Sequence, residues 1–246
     1  MGGWFQGMKH PQAIHGREVV GPRSGRRGAR LLAAGMLLLG VAALLATLRW
    51  DENLWIFRGD PVSGPWLASA RVISASANGG VLIPAGVVAT AWLAWSRRHA
   101  HARWMLAMVL AGSIAGLTGT VLRSLIGRAR PMAHVTQGWH GPRVDGHWVL
   151  GKHAYGAFPS GHTSLAAGFG AFLFLHRRRS GFLGLAYAAA VGWSRVELGA
   201  HRPSDVVAGM LVGSCIALMA GPGILARLRA VLPDKPVDDG RPAAAT

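Results

Sequence analysis

The chain has 246 residues, with 26 Lys and Arg against 10 Asp and Glu, a formal charge of +16. At 51% hydrophobic and 15% charged it is too apolar for a disordered polycation, and a lone cysteine, Cys215, excludes a disulfide-stapled scaffold. So basic a chain invites a nucleic-acid reading, but its charges punctuate long apolar blocks instead of forming a patch. The pattern is that of an integral membrane protein, with no nucleic-acid partner expected.

A hydrocarbon slab of about 30 Å takes roughly 20 apolar residues as helix. Met1 to Arg30 is a basic tail, and Leu31–Leu48 is the first apolar run. That run lies too far along the chain and is too long for a signal-peptide core. The block Trp66–Trp95 is interrupted by Arg71 and by Asn78-Gly79-Gly80, so its membrane portion is expected at Val81–Trp95. Trp104–Leu122 is the third span and Val206–Leu225 the sixth. Between them, Ser160–Leu175 and Gly181–Leu198 are apolar at one end and polar at the other. The expectation is an all-α, six-transmembrane-helix bundle. Residues 31–228 form the membrane domain, flanked by cytoplasmic tails at 1–30 and 229–246.

Orientation follows from loop charge, because basic residues collect on the cytoplasmic side. The N-terminal tail, Arg97 to Arg103, Arg177 to Arg179, and the chain from Arg227 onward hold 16 of the 26 Lys and Arg. That side is therefore assigned to the cytoplasm, with both termini. Asp51, Glu52 and Asp60 are expected in the first outer loop.

Three polar clusters remain, all at the outer ends of helices 3–6. Arg123 and Arg130-Pro131 close the third span, Pro159-Ser160-Gly161-His162 opens the fourth, and Ser194-Arg195 ends the fifth. His201 and Asp205 lead into the sixth. His162 to Leu175 and Gly181 to Ser194 each rise about 20 Å as helix. His162 and Arg195 therefore sit at similar depth, near the outer headgroups, where ionisable groups are costly and mark function.

The chemistry these residues suggest is the handling of a phosphate. Three guanidinium forks, on Arg123, Arg130 and Arg195, match an anion with several oxygens. Ser160 and Gly161 open a helix, where free N–H groups and the dipole favour negative charge. Two histidines, one with a carboxylate four residues on, supply a nucleophile or base and its orienting partner. No acidic cluster offers Mg²⁺ its oxygen ligands and no Cys/His pair suits zinc, so neither metal nor cofactor is expected.

These clusters resemble the type 2 phosphatidic acid phosphatase superfamily. Its pattern is Lys-x6-Arg-Pro, Pro-Ser-Gly-His and Ser-Arg-x5-His-x3-Asp. Here it stands as Arg123-x6-Arg130-Pro131, Pro159-Ser160-Gly161-His162 and Ser194-Arg195-x5-His201-x3-Asp205. Arg123 departs from the family lysine, keeping the charge but changing the geometry. The resemblance implies a lipid phosphatase that uses a phosphohistidine. His201 would attack phosphorus, Asp205 would hold its imidazole, and His162 would protonate the leaving oxygen and then activate water. Arg123, Arg130, Arg195, Ser160 and Gly161 would bind the phosphate. The substrate would be a phosphomonoester or pyrophosphate headgroup on a lipid, of the undecaprenyl diphosphate, phosphatidylglycerophosphate, phosphatidic acid or lipid A type.

Each residue also has a plainer reading. Asp205 after Pro203-Ser204 is a good first-turn acid, and His162 alone would be an interfacial histidine. Arg128 is read as a screening or headgroup-binding charge, Arg202 as a solvated loop charge, and His134, His140, His147 and His153 as loop histidines facing water. The long loop from Met132 to Phe158 is uncommon for a purely connecting segment, and Gln137 to Tyr155 is the candidate lid or headgroup selector. Gly112-x3-Gly116 and Gly209-x3-Gly213 are read as packing inside the bundle. Two other functions use the same residues: a phosphotransferase passing the phosphoryl group to a lipid acceptor, or a non-enzymatic phosphate-binding or transport protein. The oligomeric state is not legible.

Overall fold

The computed structural model describes residues 34–35, 38–51 and 65–232. The predicted tail 1–30 lies outside them, as does most of 229–246. The chain divides into two units after Met36, and every helix of the bundle belongs to the unit that begins at Leu37. Helix α1 is described over 38–51, so Asp51, expected in an outer loop, is instead the helical and buried end of this segment. There follow α2 (Pro65–Ser76), α3 (Gly79–Trp95), α4 (His99–Ile126), α5 (Gly161–His176), α6 (Arg178–Glu197) and α7 (Pro203–Val231). Among the described residues the regular structure is helical apart from a two-residue antiparallel pair, β1 (Arg143–Val144) with β2 (His147–Trp148).

The break read from Asn78-Gly79-Gly80 falls between α2 and α3, which bend by 56°. Asn78 causes it in a simple way: its side chain accepts the Gly80 N–H at 2.9 Å and starts a new helix instead of extending the old one. Among the described residues, α4 and α7 are long and apolar enough to cross a membrane, and α2 with α3 makes a third such element as a bent pair. Many large apolar side chains face outward, among them Leu39, Val88, Trp95, Leu117, Leu183 and Met219. A surface of that kind is solvated by lipid tails, and the protein is membrane-embedded.

Helix α5 sits against α4, α6 and α7 and is the axis of the bundle. It can do so because its buried positions, Leu165 and Phe172 apart, are small: Gly161, Thr163, Ser164, Ala166, Ala167, Gly168, Gly170 and Ala171. A Cβ on Gly170 would meet the Gly184 backbone of α6 at 2.7 Å, and one on Gly168 would meet Gly112 Cα of α4 at 3.0 Å. On the α7 side, a Cβ on Gly213 would overlap the Ser164 carbonyl oxygen, and one on Gly209 would lie 2.7 Å from that of Ser160. Both glycine pairs singled out in the sequence thus pack within the bundle, where dispersion between close backbones replaces the hydrophobic effect. From α4 to α7 the helices alternate in direction, so the C-terminal ends of α4 and α6 meet the N-terminal starts of α5 and α7. Gly213→Ala must push α7 off α5, at a cost of about 1–3 kcal/mol for overpacking. Thermal unfolding in detergent should show a lowered Tm for this variant and little change for Gly223→Ala, whose Cβ would meet nothing within 4 Å.

Candidate active site

Helix α4 carries Arg123 in its last turn and stops at Gly127, whose φ of 62° and closeness to the Gly141 carbonyl leave no room for a side chain. The chain then doubles back and is strapped to itself. Ala129 N–H donates to Gly138 O, Arg130 N–H to Ala154 O and Ala157 N–H to Arg128 O, at 2.8–3.0 Å. The loop read as a possible lid is thus structured, with the β1–β2 hairpin and a 3₁₀ turn at His153–Tyr155. It ends on Pro159 and the N-cap Ser160.

Ser160 is fully buried. Its N–H donates to Asp205 O at 2.9 Å, tying the starts of α5 and α7, and its hydroxyl accepts from Thr163 Oγ1 at 2.9 Å. The Ser160 hydroxyl proton remains to be given away. Gly161 and His162 begin the helix where N–H groups have no intrahelical acceptor. The Gly161 Cα faces the Arg123 guanidinium, since a Cβ there would lie 3.4 Å from its Nη1.

At the end of α6 the chain wraps around Arg195. Ala200 and His201 both donate their backbone N–H to Arg195 O, at 3.0 and 3.2 Å. Arg195 Nη1 donates to Ser74 Oγ of α2 at 2.6 Å, a support that no feature of the sequence signals. His162 lies within electrostatic reach of Arg123, Arg130, Arg195 and His201, and His201 within reach of Arg130 and Arg195. Arg130 Nε and Nη1 and Arg195 Nε are buried donors with no hydrogen-bond partner among the described residues. Unpaired buried donors cost about 1–3 kcal/mol each, and more on a charged group. Three clustered cations, two of them keeping buried donors with no partner among the described residues, match the chemistry of a polyvalent anion. Burial, aided by Arg195 and Arg123 and opposed by Asp205, holds the Arg130 pKa down at about 10. It remains a cation at neutral pH.

His201 is 1% exposed, and its Nδ1 lies 2.7 Å from Ala157 O. A carbonyl only accepts, so Nδ1 carries the proton and Nε2 keeps its lone pair. The Asp205 carboxylate, expected to be the orienting partner, stands further off, with Oδ2 at 3.6 Å from Nδ1. Its closer bonds go to Arg128 Nη1 at 2.6 Å and to the Arg202 N–H at 2.8 Å. Orientation of the ring is therefore shared between a main-chain carbonyl and the acid. Burial, with Asp205 opposing it, lowers the His201 pKa to about 4 and keeps the ring neutral.

Arg128, read as a screening or headgroup-binding charge, and Arg202, read as a solvated one, are both buried. Arg128 is buried, ion-paired to Asp51 at 2.7 Å and to Asp205 at 2.6 Å, with Trp139 stacked 4.4 Å from its guanidinium carbon. Arg202 is also buried and donates to Ala129 O at 3.2 Å and to Gln137 Oε1 at 3.0 Å. His153, read as one of several loop histidines facing water, lies within reach of all three arginines. Arg130 above all lowers its pKa.

A cavity of about 420 Å³ opens beside these groups. Arg123, Gly161 and His162 line its polar end, Ile83, Leu117 and Leu165 its apolar wall, and Asn78 marks where it meets the α2–α3 break. Inorganic phosphate should raise the Tm of the purified protein in a concentration-dependent way, as any ligand of the native state does. Arg130→Gln combined with Arg195→Gln should abolish that rise.

The chain is 34% identical over 125 residues to the bacitracin transport permease protein BcrC of Bacillus licheniformis, covering 50% of this chain and 58% of that one. It is 39% identical over 107 residues to a lipid A 1-phosphatase of Rhizobium johnstonii, 43% of this chain and 41% of that one. The matches therefore span about half the length of these relatives. A candidate undecaprenyl-diphosphatase of Escherichia coli, YbjG, is 29% identical over 68% of this chain and 80% of its own. In fold the chain is similar to the crystal structure of a transmembrane PAP2-type phosphatidylglycerolphosphate phosphatase from Bacillus subtilis. That match has a TM-score of 0.56 at 22% identity, over 79% of this chain and 96% of the other. The PAP2 superfamily pattern matches residues 101–223, half the chain and the stretch that holds all three polar clusters, and the protein belongs to that superfamily.

Proposed function

We propose that this protein is a membrane lipid phosphatase that works through a phosphohistidine on His201. The observation that carries the reading is the set of buried, unpartnered guanidinium donors on Arg130 and Arg195, within electrostatic reach of His201 and His162. Phosphate oxygens would take those donors, together with Arg123, the Ser160 hydroxyl and the Gly161 N–H. Nε2 of His201 attacks phosphorus while Nδ1 keeps its proton on Ala157 O. His162 protonates the departing oxygen, then takes a proton from the water that releases phosphate. Charge redistributed over the equatorial oxygens is met by preorganised cations, and such preorganisation supplies most of the rate enhancement in phosphoryl transfer. The chemistry needs no metal.

The cavity supports a lipid substrate, since its polar end lies at the phosphate-binding residues and its apolar wall suits a hydrocarbon chain. The names of the relatives point the same way, to lipid A, undecaprenyl diphosphate and phosphatidylglycerolphosphate. Undecaprenyl diphosphate is the first choice among them. In this reading six helices span the inner membrane, both termini are cytoplasmic and the active site faces outward at the ends of α4 to α7. The arginine-rich starts of α4 and α6 and the end of α7 lie at the opposite end of the bundle, as the charge rule requires. A phosphotransferase would use the same histidine, with a lipid acceptor in place of water. A passive phosphate gate would need the arginines but not a histidine with its tautomer fixed.

Purified protein should release phosphate from at least one of undecaprenyl diphosphate, phosphatidylglycerophosphate and phosphatidic acid, undiminished by EDTA. His201→Ala should lose about 10⁴-fold or more in kcat, and His162→Ala about 10²–10⁴-fold. Undiminished turnover in His201→Ala would remove the proposed nucleophile. Because protonation silences Nε2, kcat/KM should fall on the acid side only as pH approaches about 4. A limb at or above the ordinary histidine value of about 6.5 would contradict the neutral, buried imidazole. For sidedness, a cysteine at exposed Leu150 in a Cys215→Ser background should react with an impermeant thiol reagent on intact cells. Labelling only after lysis would invert the topology.

A further inference from the structure

We propose that Asp51, at the end of α1, is a positioning residue for the His201 imidazole, acting through Arg128 and Asp205. Its role rests on the phosphohistidine reading of the site. Asp51, Arg128 and Asp205 are 4%, 6% and 0% exposed, so their charges act on one another with little screening by water. Arg128 forks between the two acids, with Nη2 2.7 Å from Asp51 Oδ2 and Nη1 2.6 Å from Asp205 Oδ1. The Arg128 Nη1 also donates to Ser204 Oγ at 2.7 Å. Ser204 closes the ring, donating its N–H to Asp51 Oδ1 at 3.0 Å and its hydroxyl to Asp51 Oδ2.

The charge count gives the function. Arg128 alone would cancel Asp205 and leave nothing to oppose the cations around His201. The cations that act on His201 are Arg130 on the loop and Arg195 on α6, with Arg123 on α4 next to both, while the Arg202 guanidinium is turned to Ala129 O and Gln137 Oε1. His162 on α5 faces the same ring and Asp205 on α7 is the nearest acid. With Asp51 in place, the buried trio keeps one net negative charge next to the imidazole.

That charge matters at one step. As Nε2 donates its lone pair to phosphorus, the P–O bond to the leaving group breaks and the departing oxygen takes a proton from His162. The ring, still holding its Nδ1 proton, becomes cationic. A net anionic trio stabilises that cation; a neutral Arg128–Asp205 pair does not. Asp51 touches neither ring nor phosphate, so its effect belongs in kcat and not in substrate binding.

The test compares the full-length protein with Asp51→Asn, Asp51→Glu and Asp51→Asn/Arg128→Gln. Readouts are kcat and KM on a lipid hydrolysed by the unmodified protein, the pH dependence of kcat, and the titration of His201 followed by NMR in the free protein. Asp51→Asn should lower kcat about tenfold or more with KM within about twofold. Its acid limb and its His201 titration should both move to lower pH, since a less negative surrounding disfavours the protonated ring. The double variant restores one net negative charge, so its limb and kcat should return toward those of the unmodified protein. Asp51→Glu keeps the charge and should hold the limb in place even where its Tm falls.

A purely structural Asp51 predicts the reverse: a double variant no better than Asp51→Asn, and a limb that never moves. Either result overturns the proposal, as does an Asp51→Glu limb displaced as far as that of Asp51→Asn. The double variant buries no uncompensated cation, so the comparison survives if Asp51→Asn alone does not fold. If no lipid is hydrolysed, the proposed function fails. The His201 titration still decides whether Asp51 controls the ring.

Discussion

Arginines brought together where water is scarce repel one another and lose their hydration, and a fold tolerates this only when other contacts fix them in place. Arg123, Arg130 and Arg195 are held in this way from four directions. Arg123 stands in the last turn of α4, Arg130 is pinned through its own N–H to Ala154 O, and Arg195 is anchored by Ser74 on α2 and by the chain that wraps its carbonyl. The donors left over point at no protein acceptor among the described residues. Opposing charge comes from Asp205 and Asp51, joined through Arg128.

The bundle serves this arrangement. Close backbone packing along α5 sets the starts of α5 and α7 against each other, and the Ser160–Asp205 main-chain bond fixes their register. The candidate site residues then come largely from helix ends, with loop backbone supplying the acceptor for the His201 ring. Where α2 and α3 bend, the same bundle leaves room for something apolar beside something charged.

Much of this is legible in the sequence for a physical reason. Apolar runs, helix-start residues and closely spaced motifs are local signals, and they locate the helices from Asn78 onward and the residues that gather at one end of α4 to α7. Contacts across long stretches of chain carry no periodicity. Arg128 meets Asp51 across 77 residues, Arg195 meets Ser74 across 121, and His201 meets Ala157 O across 44. None of these has a sequence signature. Local patterning therefore places Asp51 in a loop, Arg128 at a pocket or headgroup and Arg202 in solvent, and it leaves the orientation of the ring to Asp205 alone. His153 escapes notice because a loop histidine looks the same whether it faces solvent or three guanidiniums.

The acceptor for the His201 ring belongs to the main chain at Ala157, and this bears on how such a protein can diverge. Any amino acid at that position keeps the same oxygen, so exchanging side chains there alters size without deleting the interaction. Adding or removing a residue between Met132 and Phe158 is another matter, because it would slide the carbonyl away from Nδ1. What descent must preserve in this segment is its count of residues and its path, together with the few side chains, such as Gln137 and Trp139, that hold Arg202 and Arg128.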